Sequence, residues 1–521
     1  MIDDPRQPGV QPICRAALSG LDTNCVPWDI FATGQVTPGA LHLSPGSGLP
    51  ARHHGESVVS AVLTGALGGY GVTAPWATEG VASRSASNIA RESLDFSADA
   101  TFQTGDLAGQ GAPTLPVSGA FDVKELFAEV RIPLVQDNFL HSASLTGGYR
   151  YSSYENSAGS SFSTDTYKIE GEISPIADIR VRGGYNRAVR APTVQDLFSP
   201  QFVGLDGTGD PCAGAAITAA DRGCLAQGLT VGQIIAPNPA SQYNGLFGGN
   251  PSLLPEVADT WSVGVVLQPS FIPRLAVSVD WYKIDLAGAV GGIGADTILT
   301  VCDNTADPFF CGLVHRDASG SLWRTSDGYV NDTTQNIGGI STQGIDINGS
   351  YSIDVSGIGQ LSASYVGTLL DELVVDTGIS GTYDCAGLYG NICSTPEPQV
   401  SPTLARVGWE LRPSVGASIR WRYFGGVAVD TTSSNTNLTG VWAPLNEKIA
   451  AQNYFDLTLT ARVAEHYSFR LGVNNIFDRS PPLTGSGGRA ACPAGPCNGN
   501  TWAQVYDSLG RYIFAGVTLD F

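Results

Sequence analysis

The sequence predicts an all-β protein, a partial antiparallel transmembrane β-barrel of roughly 15 strands with long extracellular loops. Two observations predict this class. Segments of about ten residues alternate between apolar and polar side chains, and short turns alternate with long loops along the chain. No stretch approaches the roughly 18 uncharged apolar residues that a membrane-spanning helix needs, which excludes a helical membrane protein.

The alternation is clearest near the C-terminus. Phe455–Val463 has an apolar residue at every second position, and its other face carries Asp, Thr and Arg. Ala417–Tyr423 and Ile513–Phe521 repeat this pattern, which is typical of strands with one polar face. A soluble β-sandwich would also alternate, but mid-strand Arg and Asp suit a wet lumen better. Aromatic residues, as in membrane-interface girdles, end several apolar faces: Trp261, Trp281, Trp421, Tyr423 and Phe424.

The pattern predicts where each strand begins. The predicted starts are Ser57, Glu79, Phe121, Phe139, Thr164, Asp178, Asp259, Arg274, Ser341, Gln360, Thr403, Gly416, Ala451, Tyr467 and Arg511. The predicted short turns are Pro133–Asn138, Ser174–Ala177, Pro269–Pro273, Ser356–Gly359, Arg412–Val415 and Ala464–His466. The predicted long loops are Ala191–Ala258, Gly288–Ile340, Asp371–Pro402, Val427–Ala450 and Phe477–Gly510. Short turns on one side and long loops on the other are typical of an outer-membrane barrel.

The charge balance is acidic. The 521 residues carry a formal net charge of −20, and only 15% of them are charged. Because phosphate binding needs a basic stripe, this balance argues against a nucleic-acid partner. It indicates solvated acidic loops.

Ten cysteines form five local pairs in segments rich in Gly, Pro, Asn or Asp. The pairs are Cys14 with Cys25, Cys212 with Cys224, Cys302 with Cys311, Cys385 with Cys393, and Cys492 with Cys497. An even count in short loops predicts disulfides formed in an oxidising compartment. Zinc sites usually combine tight C-x₂₋₄-C pairs with further Cys or His, and no His lies near the tightest pair here. We therefore predict disulfides and no metal.

Four stretches carry longer motifs. Tyr185–Phe198 contains R-A-P followed by D-L-F, with Arg190 and Pro192. Asn250–Gly264 contains N-P-S-L-L-P-E-V-A, with Asn250, Pro251, Pro255 and Glu256. Val473–Asp478 reads V-N-N-I-F-D, with Asn475 and Asp478, and Tyr506–Tyr512 precedes a last strand that ends at Phe521. In this order the motifs resemble those of TonB-dependent receptors, the energised importers of the Gram-negative outer membrane, with Asp196 in place of their usual Glu.

The resemblance implies a location and partners. The chain would lie in the outer membrane in contact with its lipid, and Phe521 would be the signal that barrel-assembly machinery reads. A complete receptor would bind a scarce extracellular ligand, such as a siderophore, cobalamin, glycan or peptide. The TonB complex would then act on a plug inside the barrel. No catalytic residue, cofactor or metal is implied, so we expect no enzyme.

The chain departs from this family at its N-terminus. Receptors of this type have about 22 strands around a plug, and neither a plug nor a TonB-contacting box is recognisable here. We therefore interpret residues 1–56 as an extracellular loop region and residues 57–521 as a barrel domain. We hypothesise that Met1 is an internal start in a truncated gene, because no signal peptide follows it.

Ala82–Ala90 breaks the alternation where a strand is expected. One back-translation of this segment, read after skipping two bases, gives an alternating peptide. This motivates the hypothesis of a frameshift in the gene.

Other candidate sites are weaker. The doublet His53-His54 could bind metal, but a solvated loop doublet is the more common case. No G-x-S-x-G motif of a nucleophile elbow is present. Lumen-facing Arg and Asp residues could contact a plug or a substrate, although cross-strand ion pairs are the simpler interpretation: Arg420, Arg422, Asp456 and Arg462.

Two alternatives to an importer are compatible with the sequence. A passive porin would need a barrel that is complete without a plug, preceded by a signal peptide. An inactive fragment would be an open sheet with unpaired edges, which favours aggregation.

Overall fold

The computed structural model describes residues 51–97, 116–379, 381–390, 392–393, 395–400, 403–411, 414–442, 444–464, 466–484 and 501–519. No helix in the described part of the chain is long and apolar enough to cross a membrane.

Five residues singled out in the sequence lie outside the described residues. They are the predicted disulfide cysteines Cys14, Cys25, Cys492 and Cys497, and the predicted assembly signal Phe521. The pairing of Cys14 with Cys25 and the pairing of Cys492 with Cys497 therefore stay predictions.

Among the described residues, fifteen strands lie side by side in one antiparallel sheet, in which neighbours in sequence are neighbours in space. They are β1 Ala51–Ala66, β2 Ala82–Ser97, β3 Val117–Gln136, β4 Ser142–Asn156, β5 Ser161–Ile176, β6 Ile179–Arg190, β7 Glu256–Leu267, β8 Ala276–Ala287, β9 Gly339–Val355, β10 Gly359–Asp376, β11 Thr403–Leu411, β12 Val415–Phe424, β13 Gln452–Val463, β14 Tyr467–Asn474 and β15 Tyr512–Leu519. Each predicted strand has a counterpart here, so the predicted class is confirmed. Within the described residues, β1 pairs only with β2 and β15 only with β14.

One face of the sheet is apolar across its width because the register keeps the alternation of all strands in step. In β11–β15 the directly paired residues Val407, Ile419, Leu457, Val473 and Ile513 form one such row. Ile513 is 64% exposed. An apolar face that is left open to the surroundings is what a lipid-facing barrel surface requires.

The opposite face is polar. One residue along from the apolar row, Arg406, Arg420 and Asp456 pair directly across β11–β13. The predicted cross-strand ion pairs are present here, since Arg420 Nη2 lies 2.8 Å and Arg422 Nε 2.9 Å from Asp456 Oδ2. Charged groups in mid-strand are stable on this face because they are paired and hydrogen-bonded.

Strand β1 begins earlier than predicted. It starts at Ala51, whereas Ser57 was expected, and therefore includes the His53-His54 doublet. His54 Nε2 lies 2.7 Å from Glu92 Oε1 on β2. The expectation of a loop doublet is wrong because the cross-strand pairing with β2 extends the strand to Ala51.

Strand β3 extends past its predicted end. A turn was expected at Pro133–Asn138, but β3 continues to Gln136. The register shifts between Pro133 and Val135, as a β-bulge does. A bulge accommodates proline inside a strand because the missing N–H then interrupts no regular ladder bond.

Ala82–Ala90 forms the first part of β2 and pairs continuously with β1 and β3. The break in alternation places Ser83, Ser85 and Ser87 in line with apolar-face residues such as Leu63 and Leu126. The segment is therefore a strand despite its composition. The frameshift hypothesis stays a prediction.

Phe424 does not belong to the apolar face with its neighbours Trp421 and Tyr423. Its ring packs 6.1 Å from Tyr454 and 6.0 Å from Tyr506, between centroids, in a cluster above the sheet. The cause is alternation itself, since adjacent residues of a strand point to opposite faces.

Long connections lie at one end of the sheet and short connections at the other, with two exceptions. Long connections follow β2, β6, β8, β10, β12 and β14, all at the same end of the sheet. At that end, however, only 157–160 join β4 to β5, and at the other end 67–81 join β1 to β2. Residues 67–81 are held by Gln136, whose Oε1 accepts hydrogen bonds from the N–H groups of Thr78 at 2.9 Å and Glu79 at 2.7 Å.

Short elements shape the connections. In the described part of the chain the α-helices are α1 Val194–Phe198, α2 Arg222–Ala226, α3 Ala295–Thr305 and α4 Pro308–Gly312, and the 3₁₀-helices are Leu67–Tyr70, Asp430–Thr432 and Pro444–Asn446. The short strands are Phe202–Leu205, Asn244–Phe247, Val290–Gly291, Val314–His315, Tyr329–Asn331, Gln335–Asn336, Thr382–Asp384, Leu388–Tyr389, Val427–Val429 and Lys448–Ile449. Of these, Thr382–Asp384 pairs with the end of β10 and so adds to the large sheet.

Candidate functional site

The first two long connections fold into one unit, the first loop module (residues 202–247 and 290–336). Four short strands of both connections form a small sheet in it. Helix α3 packs beside this sheet, and Ile298, Leu322 and Val330 at the centre are fully buried. A core of this kind gives the module its own apolar stabilisation, so it presents a fixed surface.

An ion pair is buried inside the first loop module. Arg316 Nη1 and Nη2 each lie 2.8 Å from a carboxylate oxygen of Asp210, and the two side chains are 3% and 1% exposed. Gln227 Oε1 accepts two further hydrogen bonds from Arg316. The disulfides Cys212–Cys224 and Cys302–Cys311 are formed nearby, as predicted.

Asp206 directly follows the strand Phe202–Leu205 of this module and lies in an unusual environment. Burial, with the nearby charge of Asp332 as the next largest cause, raises the pKa of Asp206 to about 6. Its Oδ2 atom is buried without a hydrogen-bond partner among the described residues. A carboxyl in such surroundings favours its neutral form.

The later long connections form the second loop module (residues 382–390, 392–393, 427–442, 444–449 and 502–506). Its core contains Tyr389, Val429 and Trp502, each at most 5% exposed. Burial raises the pKa of Tyr389 to about 12, and the Tyr389 hydroxyl donates to the carbonyl of Asn446 at 2.5 Å. The third predicted disulfide, Cys385–Cys393, is formed beside Leu438.

A glycine allows one close contact in this module. Asp430 is 1% exposed and its Oδ2 accepts from the N–H groups of Ile392 at 2.9 Å and Cys393 at 3.3 Å. A Cβ on Gly390 would lie 2.2 Å from Asp430 Oδ1, and Gly390 has a φ of +152°. Only glycine fits there, so Asp430 and Gly390 together fix the disulfide-closed segment.

The motif residues lie at the roots of the first loop module. Arg190 at the end of β6 pairs in register with Glu256 at the start of β7, and Arg190 Nε lies 2.5 Å from Glu256 Oε2. Glu256 Oε1 accepts from the N–H of Val290 at 2.7 Å in the next long connection. Arg190 Nη1 also lies 3.5 Å from Asp196. These groups hold two connections to the same strand ends.

The remaining residues of these two motifs also form contacts between neighbouring connections. Pro192 is buried and precedes α1, whose Thr193 and Asp196 form a reciprocal capping box. The Asn250 N–H donates to the Asp196 carbonyl at 2.9 Å, and its Nδ2 donates to the Thr334 carbonyl at 3.0 Å. The Pro251 carbonyl accepts from Asn156 Nδ2 at 3.1 Å. For Pro255, only its place directly before β7 is evident.

The third motif lies at the root of the second loop module. Asn475 is fully buried with a φ of +52°, and its N–H donates to Asp456 Oδ1 at 2.8 Å. Its side chain bonds twice to the backbone of Arg479. Asp478 has a φ of +54° and its Oδ1 accepts from the Arg511 N–H at 2.8 Å. The motif thus closes the exit from β14.

Arg422 connects the polar face of the sheet to this loop root. Its guanidinium bonds to Asp456 on β13 and, at 2.5 and 2.8 Å, to both carboxylate oxygens of Asp507. Sequence reasoning placed Arg422 and Asp456 on one face but missed Asp507. The nearest signal was the Tyr506–Tyr512 motif, which contains it. Sequence reasoning also missed Arg316 and Asp210, because nothing in their local sequence indicates a pair between residues 106 positions apart.

The described residues offer little for metal binding. The only metal-type cluster among them combines Cys212, Cys224 and Asp303, and both of those sulfurs are in a disulfide. A disulfide sulfur is no thiolate ligand. The arrangement instead consists of two ordered modules that are held to the polar face by charged hydrogen bonds. Such a surface suits binding.

A family model and several solved structures match the chain. A family model described as TonB-dependent receptor-like β-barrel matches residues 52–476. No curated protein matches the chain. A variant of the ferric enterobactin receptor of Pseudomonas aeruginosa, in complex with enterobactin, is 14% identical with a TM-score of 0.56, over 90% of this chain and 55% of that one.

Two further solved structures are similar. The ferric enterobactin receptor in complex with BCV-L6 is 15% identical with a TM-score of 0.57, again over 90% of this chain and 55% of that one. The siderophore receptor PirA of Acinetobacter baumannii is 12% identical over 91% of this chain and 55% of that one, with a TM-score of 0.49.

The chain spans about half the length of the solved receptors that it matches. At these identities the solved structures show the fold, and the family model, which covers most of the chain, shows the family. The protein therefore belongs to the TonB-dependent receptor-like β-barrel family, whose members reside in the outer membrane of Gram-negative bacteria.

Proposed function

We propose that the chain is the strand-and-loop portion of a receptor that captures a small extracellular ligand on its two loop modules and passes it into the lumen. The connection through Arg422 carries this proposal. One side chain joins Asp507 at the root of the second module to Asp456 on the polar face, which would line the lumen. A ligand that shifts the module therefore acts on a charged group that lines the lumen.

The loop modules support capture rather than passive flow. Each has a buried core and at least one disulfide, so little conformational entropy is lost when a ligand binds. A passive porin has no need of ordered modules with their own cores. Capture on a prepared surface is the function that they fit best.

The ligand class is proposed from the similarity to solved receptor structures, and it can be tested. One similar structure is a ferric enterobactin receptor with enterobactin bound. An iron chelate is therefore the first class to test, followed by cobalamin, glycans and peptides. Uptake would draw energy from the TonB complex acting on a plug in the lumen. The apolar face would contact lipid, and assembly machinery would insert the barrel.

The test is a binding titration with the 521-residue chain refolded in detergent. Trp323 and Trp502 lie in the modules, so their fluorescence reports events there. We expect saturable quenching with one of the four ligand classes, at micromolar concentrations or below. The Arg422→Gln variant should weaken that affinity about tenfold, the loss expected for roughly one charged hydrogen bond.

A matched control is Arg150→Gln. Arg150 also lies on the polar face and pairs with Glu125 at 3.7 Å, but it holds no loop module. It should leave affinity within twofold of the original. If none of the four classes gives saturable quenching, the capture proposal is wrong; if both variants weaken binding equally, the role given to Arg422 is wrong.

A further inference from the structure

A cavity of about 450 Å³ lies on the polar face of β10–β15 and extends to Asp456 and Asn474, next to the root of the second loop module. Three guanidinium groups line it, those of Arg406, Arg420 and Arg470, and we call this site the arginine basin. The capture function described above gives these three arginines no role, although Asp456, which also lines the cavity, takes part in the Arg422 connection. Its shape and charge follow from the strand register.

Three neighbouring rows of paired residues build the basin. The middle row contains only small or slender residues over most of its width: Ser362, Gly408, Ser418, Thr458 and Gly472. On one side lies the row with Arg406 and Arg420, and on the other the row with Glu410 and Arg470. Same-face rows are about 6.6 Å apart, so long arginine side chains on both sides reach over the low floor.

The floor is kept low by glycine. A Cβ on Gly408 would lie 2.7 Å from Ser362 Oγ, and one on Gly416 would lie 2.6 Å from Thr460 Oγ1. Larger residues would therefore displace the hydroxyl groups that the basin offers. Phe514 closes one end, with the Arg470 guanidinium 5.5 Å from its ring centroid. The interior is lined mainly by hydrogen-bond donors.

The positive charge of the basin is incompletely neutralised. Arg406 and Arg420 are directly paired across β11 and β12, and like charges in this position repel each other. Arg420 shares Asp456 with Arg422, and the same carboxylate also accepts the Asn475 N–H. Asp456 therefore has little capacity left for Arg406.

Arg406 and Arg470 have no carboxylate within ion-pair distance among the described residues. Glu410 is the remaining acid of the basin, and it forms no ion pair with them there. Two guanidinium groups next to a third that is only partly neutralised, over a floor of hydroxyl groups, form a donor set for a planar or tetrahedral oxyanion.

We propose that the arginine basin binds an anionic group, a carboxylate or a phosphate, that enters the lumen. Arg406 and Arg420 hold the oxyanion between their forks, the floor hydroxyl groups donate from below, and Arg470 contacts it from the far side. The anion also relieves the repulsion between Arg406 and Arg420. The same chemistry can come from a free small anion or from an acidic side chain of a segment inside the lumen.

The test is protection of arginines from phenylglyoxal in the refolded 521-residue chain, read residue by residue by mass spectrometry. The probes are inorganic phosphate and a glutamate-rich peptide, each compared with sodium chloride of equal ionic strength. We expect phosphate to slow the labelling of Arg406 and Arg470 at least fivefold. Arg180 is the matched control, since it is exposed on the same face and lies outside the basin; its labelling should change less than twofold.

The two probes separate the sources. Protection by phosphate alone identifies a small-anion site, and protection by the peptide as well identifies a site for an acidic segment. Equal protection of Arg180 and Arg406, or none at either, overturns the proposal. Glu410→Gln removes the competing acid and should lower the phosphate concentration for half-protection two- to threefold, whereas an unchanged or higher concentration contradicts the assignment.

Discussion

Asp456 and Asn475 form a contact between a charged strand residue and a strained strand exit. The Asn475 N–H donates to Asp456 Oδ1 at 2.8 Å, and both side chains are nearly inaccessible. The other oxygen of Asp456 accepts from Arg420 and Arg422. One carboxylate thus fixes the polar face and the root of the second loop module at once.

Asp456→Asn should destabilise the folded chain by about 3 kcal/mol. The amide can still accept the Asn475 N–H, but it cannot neutralise two guanidinium groups. Breaking a buried pair costs about 3–5 kcal/mol, and the lower end applies here because Arg422 keeps its bonds to Asp507. The midpoint of denaturant unfolding of the refolded chain measures this. Asp346→Asn is the control, because Asp346 accepts from the Thr368 hydroxyl and forms no ion pair among the described residues. Equal effects of both changes would contradict the role given to Asp456.

Asn475→Ala should destabilise more than Asn475→Gly. Alanine loses the two side-chain bonds to Arg479 and must also adopt a φ of +52°, which costs about 1–2 kcal/mol for a residue with a Cβ. Glycine loses only the bonds. The difference between the two unfolding free energies isolates the backbone cost. If alanine is as stable as glycine here, the positive φ is not a constraint.

The strands were predictable because alternation is a local signal with a fixed period. Each of the fifteen strands has a counterpart in the prediction, and the largest error in a start is six residues, at Ala51 against Ser57. That error arose because the pairing of β1 with β2 extends a segment with weak alternation of its own. Partners across a sheet decide such ends.

The sites were less predictable. The motifs identified Arg190, Glu256 and Asn475 without revealing what they contact. The pair of Arg316 and Asp210 joins residues in different connections, and no periodicity encodes that. The repulsion between Arg406 and Arg420 is likewise visible only once the register of β11 and β12 is known.

Arg316→Ala should open the first loop module and leave the large sheet intact. It leaves the charge of Asp210 buried without a partner, at a cost of about 3–5 kcal/mol. Proteolysis of residues 206–236 under native conditions should accelerate on the order of a hundredfold, because cleavage follows the open population. Far-ultraviolet circular dichroism should change little.

Two controls accompany this experiment. Arg324→Ala removes an exposed arginine of the same module and should leave proteolysis unchanged. The double change Arg316→Met with Asp210→Leu should restore most of the protection, since an apolar pair of similar size avoids the unpaired charge. Faster proteolysis in the double variant than in Arg316→Ala would refute the explanation by charge.

The first loop module should lose stability as the pH rises from about 4 to about 6. Burial raises the pKa of Asp206 to about 6 in the folded module, from 3.8 ordinarily. The folded module then binds a proton that the unfolded chain releases, so the contribution is fully present below about 4 and is lost as the pH passes 6. Because Asp206 is only partly buried, we expect a change on the order of 1–2 kcal/mol.

Hydrogen exchange of residues 202–209, corrected for its intrinsic pH dependence, measures this change in stability. Asp206→Asn should flatten the dependence of module stability on pH, and Asp327→Asn, at an exposed site, should leave it unchanged. A flat dependence in the original chain would show that Asp206 is charged over this whole pH range, which contradicts the prediction.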